Sequence, residues 1–294
     1  MTTWRLFGML AETSVHVGGL EPFGAVDLPV ARERPTAIPY IPASTIKGAL
    51  RSRAERQWGR ESTMVRQLFG GEGVANDAAG LLLFADARLL LLPVRCLTSA
   101  FRWVTCPYVL RRWQRDGARL APGHVNSAAA VDKVVQALRA QSDFPVACVP
   151  EPAGDVPMYL EERRFTAICE PYQGEIGEIV RQIRGWIADS GERGQVDTRL
   201  AIVADEDFSW LCRFGLPVQA RNVLTPEKTS DNLWFEEALP SETVMYQAVG
   251  FRTMPAPEVC QAFWDLVATE CRYTQFGANE TVGQGWFQIA EVTR

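Results

Sequence analysis

Apolar and polar residues alternate roughly over positions 4–15, the period-two pattern of a strand with one buried face. The pattern then stops. Residues 17–40 carry Gly18, Gly19, Pro22, Gly24, Pro29, Pro35 and Pro39, too much punctuation for a helix. Irregular segments of this length in compact domains are often functional. Ile46, Ala49, Leu50 and Ala54 return at helical spacing and predict a helix ending near Gly59. A short helix is expected over 61–69, stopped by GGEG at 70–73. Residues 80–95, GLLLFADARLLLLPVR, read as buried strand with a break near Asp86. Pro107 suits the first turn of a helix carrying Arg111, Arg112 and Arg115. Helical periodicity marks 129–140 and 173–189, and the Pro/Gly-rich stretch 150–157 reads as a loop. Strands are expected at 199–204 and 242–251, with a projecting hairpin between them at 218–240 and TPEKTSDN at its tip. A helix at 257–270 and a terminal strand at 284–293 complete the chain. Strands occur both side by side and separated by helices, which predicts an α+β fold with insertions. No shift in composition cuts the chain into independent domains.

Composition narrows the class. The 294 residues are 47% apolar and 22% charged, ordinary for a globular protein. No apolar run approaches the ~18 residues of a membrane span. The first ten residues, MTTWRLFGML, lack a basic stretch and a small-residue cleavage site, so a secretory leader is not expected. Seven cysteines (96, 106, 148, 169, 212, 260 and 271) are dispersed with no C-x-x-C pair, as expected of reduced cytoplasmic thiols. His16 and His124 are the only histidines, which argues against a Cys/His zinc site. The net charge of −5 argues at first against nucleic acid, but its distribution is uneven. Residues 1–119 hold sixteen Lys+Arg against ten Asp+Glu, and residues 120–294 hold fourteen against twenty-five. That asymmetry allows one polyanion-binding face. Only three cations are lysines, so arginine abundance follows overall composition and is no evidence for RNA.

Candidate chemistry concentrates at IPASTIKGALR, residues 41–51. Pro42 holds the entry extended, and Ser44 suits an N-cap. Lys47 and Arg51 stand four apart on one stripe, and Gly48 between them leaves room for another backbone. Free N–H groups, a positive helix end and two aligned cations suit a phosphate. A capped surface helix with solvated cations is the plain alternative. Upstream, Asp27 in FGAVDLPVARE could hold Mg²⁺ or assist proton removal beside a phosphodiester, although Asp-x-Pro is also a common turn. His16 could transfer a proton near neutrality or serve as a structural hydrogen-bonding residue. Glu236 and Glu237 could add carboxylates at the hairpin base or be a solvated acidic pair. Gly277, Gly283 and Gly285 permit close approach of a backbone, as they would in any tight strand connection. The P-loop, G-x-S-x-G, H-E-x-x-H and RNP1 patterns are absent.

Taken in order, His16 to Gly19, VDLPVARE (26–33), PYIPASTIKGALR (39–51), LFGGEG (68–73), GLLLFADARLLLLPVR (80–95), FRWVTCPYVLRR (101–112), WFEEALPSETVMY (234–246) and the glycine loop resemble the RAMP superfamily of CRISPR-associated proteins. The set is most similar to the repeated backbone subunit of type III-B effector complexes, the fourth subunit of the Cmr module. TCPYVLRR and NETVGQGW favour III-B over its type III-A equivalent. The resemblance implies an RRM-like, ferredoxin-like palm within a single domain, with helical insertions within about 96–200 and a thumb at about 218–240. It implies copies stacked along CRISPR guide RNA, other Cmr subunits as partners, no membrane, and a cytoplasmic setting. Asp27 would cut complementary target RNA with a divalent metal, expected to be Mg²⁺, with His16 and Glu237 as lesser candidates. Ser44, Thr45, Lys47, Gly48 and Arg51 would meet the guide backbone. Arg221, Asn222, Gly283 and Gly285 would also face RNA. Ala43 departs from the family pattern, where glycine is common. A non-catalytic structural subunit, a stand-alone guide-processing endoribonuclease and an unrelated metabolic enzyme are the alternatives.

Overall fold

A computed structural model describes residues 4–19, 24–71, 79–120, 122–123, 127–141, 144–148, 157–168, 172–187 and 190–292. In chain order its elements begin with β1 (Trp4–Ala11), β2 (Tyr40–Ile41), α1 (Ala43–Trp58), α2 (Thr63–Phe69), β3 (Leu82–Phe84), β4 (Ala87–Cys96) and β5 (Ser99–Thr105). The middle of the chain holds α3 (Pro107–Leu120), α4 (Ala128–Arg139), β6 (Pro145–Cys148), β7 (Met158–Leu160), β8 (Arg163–Ala167), α5 (Gln173–Arg184), α6 (Ser190–Arg199) and β9 (Leu200–Val203). Then come α7 (Asp205–Phe214), β10 (Val218–Leu224), β11 (Ser230–Glu237), β12 (Val244–Phe251), α8 (Pro257–Thr269), β13 (Tyr273–Gln275) and β14 (Trp286–Glu291).

One sheet runs in the order β14-β1-β12-β4, with every neighbouring pair antiparallel. α1 lies in sequence between β1 and β4, and α8 between β12 and β14. All eight residues of β12 are buried, which matches its central place between β1 and β4. β4 then leaves this sheet. Its second half, Leu92 to Cys96, pairs with β5. The path continues through β9, β6, β8 and β7 and returns to β4 at Cys96 and Leu160. These six strands therefore pair in a closed circuit. Its strands carry the fully buried Trp103, Phe165 and Leu200.

The break expected near Asp86 separates β3 from β4. The Asp86 carboxylate accepts the Ala43 backbone N–H at 2.8 Å, so the break serves the start of α1. β1 ends at Ala11, short of residue 15, and the helix expected over 173–189 ends at Arg184, before the buried Trp186. Most of the loop expected at 150–157 and the second half of the GGEG run lie outside the described residues, as does His124. β10 and β11 form a separate two-stranded sheet whose residues are mostly exposed. Among the described residues no helix is long and apolar enough to cross a membrane.

Candidate nucleic-acid interface

Asp27 is exposed, yet it is fixed on both backbone and side chain. Its N–H and that of Leu28 each donate to the Phe235 carbonyl at 3.1 Å. In return the Phe235 N–H donates to Asp27 Oδ2 at 2.8 Å. Leu28 and Glu236 form a parallel bridge, and the Glu237 N–H donates to the Leu28 carbonyl at 2.9 Å. The Asp27 segment is thus laced to the root of the hairpin. Oδ1 of Asp27 accepts no hydrogen bond among the described residues.

Glu237 is a lesser catalytic candidate by sequence, and its surroundings leave it no oxygen for that role. It is 2% exposed. One oxygen accepts from Arg32 Nη2 at 2.6 Å, and the other from the Val30 N–H at 3.0 Å. With both oxygens engaged, it cannot reach an external hydroxyl. His16 is buried and its Nδ1–H donates to the Glu237 carbonyl at 2.7 Å. Its own carbonyl accepts from Ala278 at 2.8 Å, which joins the first strand's exit to the glycine loop. Glu236 is buried, not solvated; it accepts from Arg221 at 3.0 Å and from Asn279 at 2.6 Å.

At the other candidate, Ser44 is not the cap. α1 starts one residue earlier, at Ala43, with Pro42 as its flanking residue and no side-chain bond from that position. Asp86, brought in from between two strands, accepts the free N–H instead. Its negative charge also suits the positive helix end. Ser44 is an exposed first-turn residue, and Gly48 faces open space. Lys47 has no ion-pair or hydrogen-bond partner among the described residues. Arg51 turns inward to Glu55 at 2.7 Å and to the Gly70 carbonyl at 3.2 Å. The two cations expected to act together are therefore in different states. Thr45 is half-buried, and its N–H donates to Pro42 at 3.0 Å.

The sequence model of the RAMP superfamily matches residues 9–288. The chain belongs to the RAMP superfamily. It is 30% identical over 296 aligned residues, covering 98% of this chain and 96% of the relative, to the CRISPR system Cmr endoribonuclease Cmr4 of Pyrococcus furiosus. It is 34% identical over 26% of its length, and 40% of the relative's, to the Cms endoribonuclease Csm3 of Streptococcus thermophilus. Its fold matches the crystal structure of oligomeric Cmr4 from Pyrococcus furiosus over 100% of both chains, with a TM-score of 0.74 and 23% identity.

In this RAMP protein the structure gathers Asp27, His16, Glu236, Glu237 and Arg221 around the hairpin root, while Ser44, Lys47 and Gly48 lie at the start of α1. The tie between the two groups is indirect: Ala31 accepts the Tyr40 N–H at 3.1 Å, two residues before the helix flank. Asn222 on β10 accepts from Ser230 across the hairpin at 2.8 Å. Leu28, Val223, Leu224, Leu233 and Phe235 leave a run of exposed apolar side chains along the hairpin and its root. Gly285 is needed for packing, because at φ +85° a Cβ there would lie 2.2 Å from the Phe276 carbonyl. Gly283, at φ +79°, opens on empty space. Sequence reasoning missed Arg32, Asp86 and Asn279. Arg32 stands inside the VDLPVARE motif, but nothing local says that its partner lies in the hairpin.

Proposed function

We propose that this RAMP protein is the repeated backbone subunit of a type III-B CRISPR ribonucleoprotein, holding guide RNA and cutting paired target RNA through Asp27. The carrying observation is an exposed carboxylate, with one oxygen uncommitted, fixed at the root of an exposed hairpin. The relative matched over nearly the whole chain is named a Cmr endoribonuclease, which supports the same reading. The β14-β1-β12-β4 sheet with α1 and α8 would be the ferredoxin-like palm, and β10–β11 the thumb. Partners would be guide RNA, complementary target RNA, further copies of the chain and other Cmr subunits, in the cytoplasm.

Ser44, Thr45, Lys47 and Gly48 offer donors, a free cation and an open backbone to guide phosphates. Contacts of this kind grip without reading sequence, and guide–target pairing supplies specificity. Asp27 would orient or accept the proton of the attacking 2′-hydroxyl. Among the described residues no group of three or more His, Cys, Asp or Glu could hold a metal. A protein-built cage does not fit, but a Mg²⁺ held chiefly by RNA phosphate, with Asp27 as protein ligand, does. Such an ion would neutralise charge on the scissile phosphate.

The Phe235 bond also supports a second reading, in which Asp27 is a latch for the hairpin and cutting occurs elsewhere. Asp27→Asn separates the two, because Asn keeps an acceptor for Phe235. In a reconstituted complex of measured mass, the variant should assemble and bind target normally but cut at least ~10²-fold more slowly. Wild-type cutting by Asp27→Asn would leave only the latch.

A further inference from the structure

Arg32 is the point where three parts of the molecule meet. Its Nη1 donates to the Cys212 carbonyl at the end of α7 at 2.6 Å, and to the Ala37 carbonyl at 3.0 Å. Its Nη2 donates to Glu237 at the hairpin root at 2.6 Å. Glu237 spends its other oxygen on the Val30 N–H, three residues from Asp27, and its own N–H on the Leu28 carbonyl. A guanidinium spreads its donors over a rigid planar fork and so spans separated acceptors, whereas an ammonium directs all three of its donors from one nitrogen. Beyond Arg32 the segment is held again: Glu33 pairs with the buried Arg112 of α3, and the Thr36 carbonyl accepts from Ser209 of α7 at 3.1 Å. Among the described residues no hydrogen bond or ion pair joins Asp27 to Arg32 or Glu237; it is tied to them through Leu28, Val30 and the hairpin strand.

Resting on the reading above, we infer that Arg32 and Glu237 are positioning residues for the Asp27 carboxylate. Together they lock the Asp27 segment, the hairpin root and α7 into one unit. Neither contacts RNA. Their work is to hold Asp27 in register with Phe235, so that the free oxygen presents one direction. Displacement of a reacting group by about 1 Å lowers rates by about 10²-fold.

The test uses the reconstituted ribonucleoprotein with Arg32→Met, Arg32→Lys, Glu237→Gln and Asp27→Asn. Single-turnover cutting of bound target is measured beside target affinity. Arg32→Met should cut about 10- to 100-fold more slowly with affinity within about 2-fold. Arg32→Lys should recover part of that loss, and Glu237→Gln should fall between them. A merely structural role predicts instead that rate and affinity fall together, or that correctly assembled complex cuts at full speed. Hydrogen exchange on the free chain gives a second measure that needs no activity. The amides of Leu28 and Val30 should exchange at least ~10-fold faster in Arg32→Met and Glu237→Gln, and unchanged exchange would overturn the clamp. If Asp27→Asn is inactive while Arg32→Met is fully active, the clamp fails and the reading of Asp27 stands. If Asp27→Asn cuts normally, the reading of Asp27 fails and the clamp with it.

Discussion

Phe235 contributes more to the candidate site through its peptide group than through its ring. Its carbonyl and N–H together hold Asp27, so replacing its side chain by Leu should leave Asp27 in place, whereas Pro would remove the donor. Surroundings set thiol chemistry in the same way. Burial pushes Cys271 up to about 12, and burial also raises Cys212, against the opposing pull of the Arg32 charge. Both thiols therefore stay protonated well above the ordinary thiol range. Both should alkylate at least ~10²-fold more slowly in the native protein than in denaturant, as followed by mass spectrometry. The sign for stability follows. These thiols keep their protons to higher pH when folded than when unfolded. Their contribution is therefore complete below the ordinary value of 9.0 and is lost as pH climbs toward the folded values. Urea midpoints should fall between pH 9 and 11, and less so in Cys212→Ala/Cys271→Ala.

At the scale of elements, the start of α1 separates what a local pattern can say from what it cannot. The Ser44 cap rule is sound, and Ser62 obeys it at α2, accepting from Met64 at 3.2 Å. At α1 a carboxylate from 43 residues away took the place of the local hydroxyl. Asp86→Ala should therefore lower stability by about 1 kcal/mol, and Ser44→Ala by much less, measured as urea midpoints. Long elements with clear periodicity were legible: α1, α4, α8, β12 and the hairpin all fall within a few residues of their expected bounds. The short strands β5 to β8 were not, because three to seven residues give too little alternation to recognise, and β6 and β8 form only within the ring. α7 was missed although Asp205, Glu206 and Asp207 mark a helix start. The four-strand order β14-β1-β12-β4 follows from pairings that no window of sequence contains.

At the scale of the whole molecule, the candidate site illustrates the same limit. Asp27 could be singled out by its motif, but the Arg32–Glu237 pair joins residues 205 apart, and only the fold brings them to 2.6 Å. The basic first part of the chain supplies Lys47, whose charge no described residue neutralises. Lys47→Ala should weaken RNA binding of the assembled particle alike for all guide sequences. It should also reduce the slope of log K against log salt by about 1 per copy in contact. An unaltered slope would remove Lys47 from the phosphate path. The ring of β4, β5, β9, β6, β8 and β7 has its own bearing on such a particle. Molecules crowded side by side on a polynucleotide are at risk of zippering together through unpaired backbone, the route to amyloid-like precipitates. Here each of those six strands is already flanked on both sides by its own chain. If copies stack on RNA as proposed, neighbours would adhere there only through side chains, which would leave such contacts reversible and their register open to being dictated by the nucleic acid.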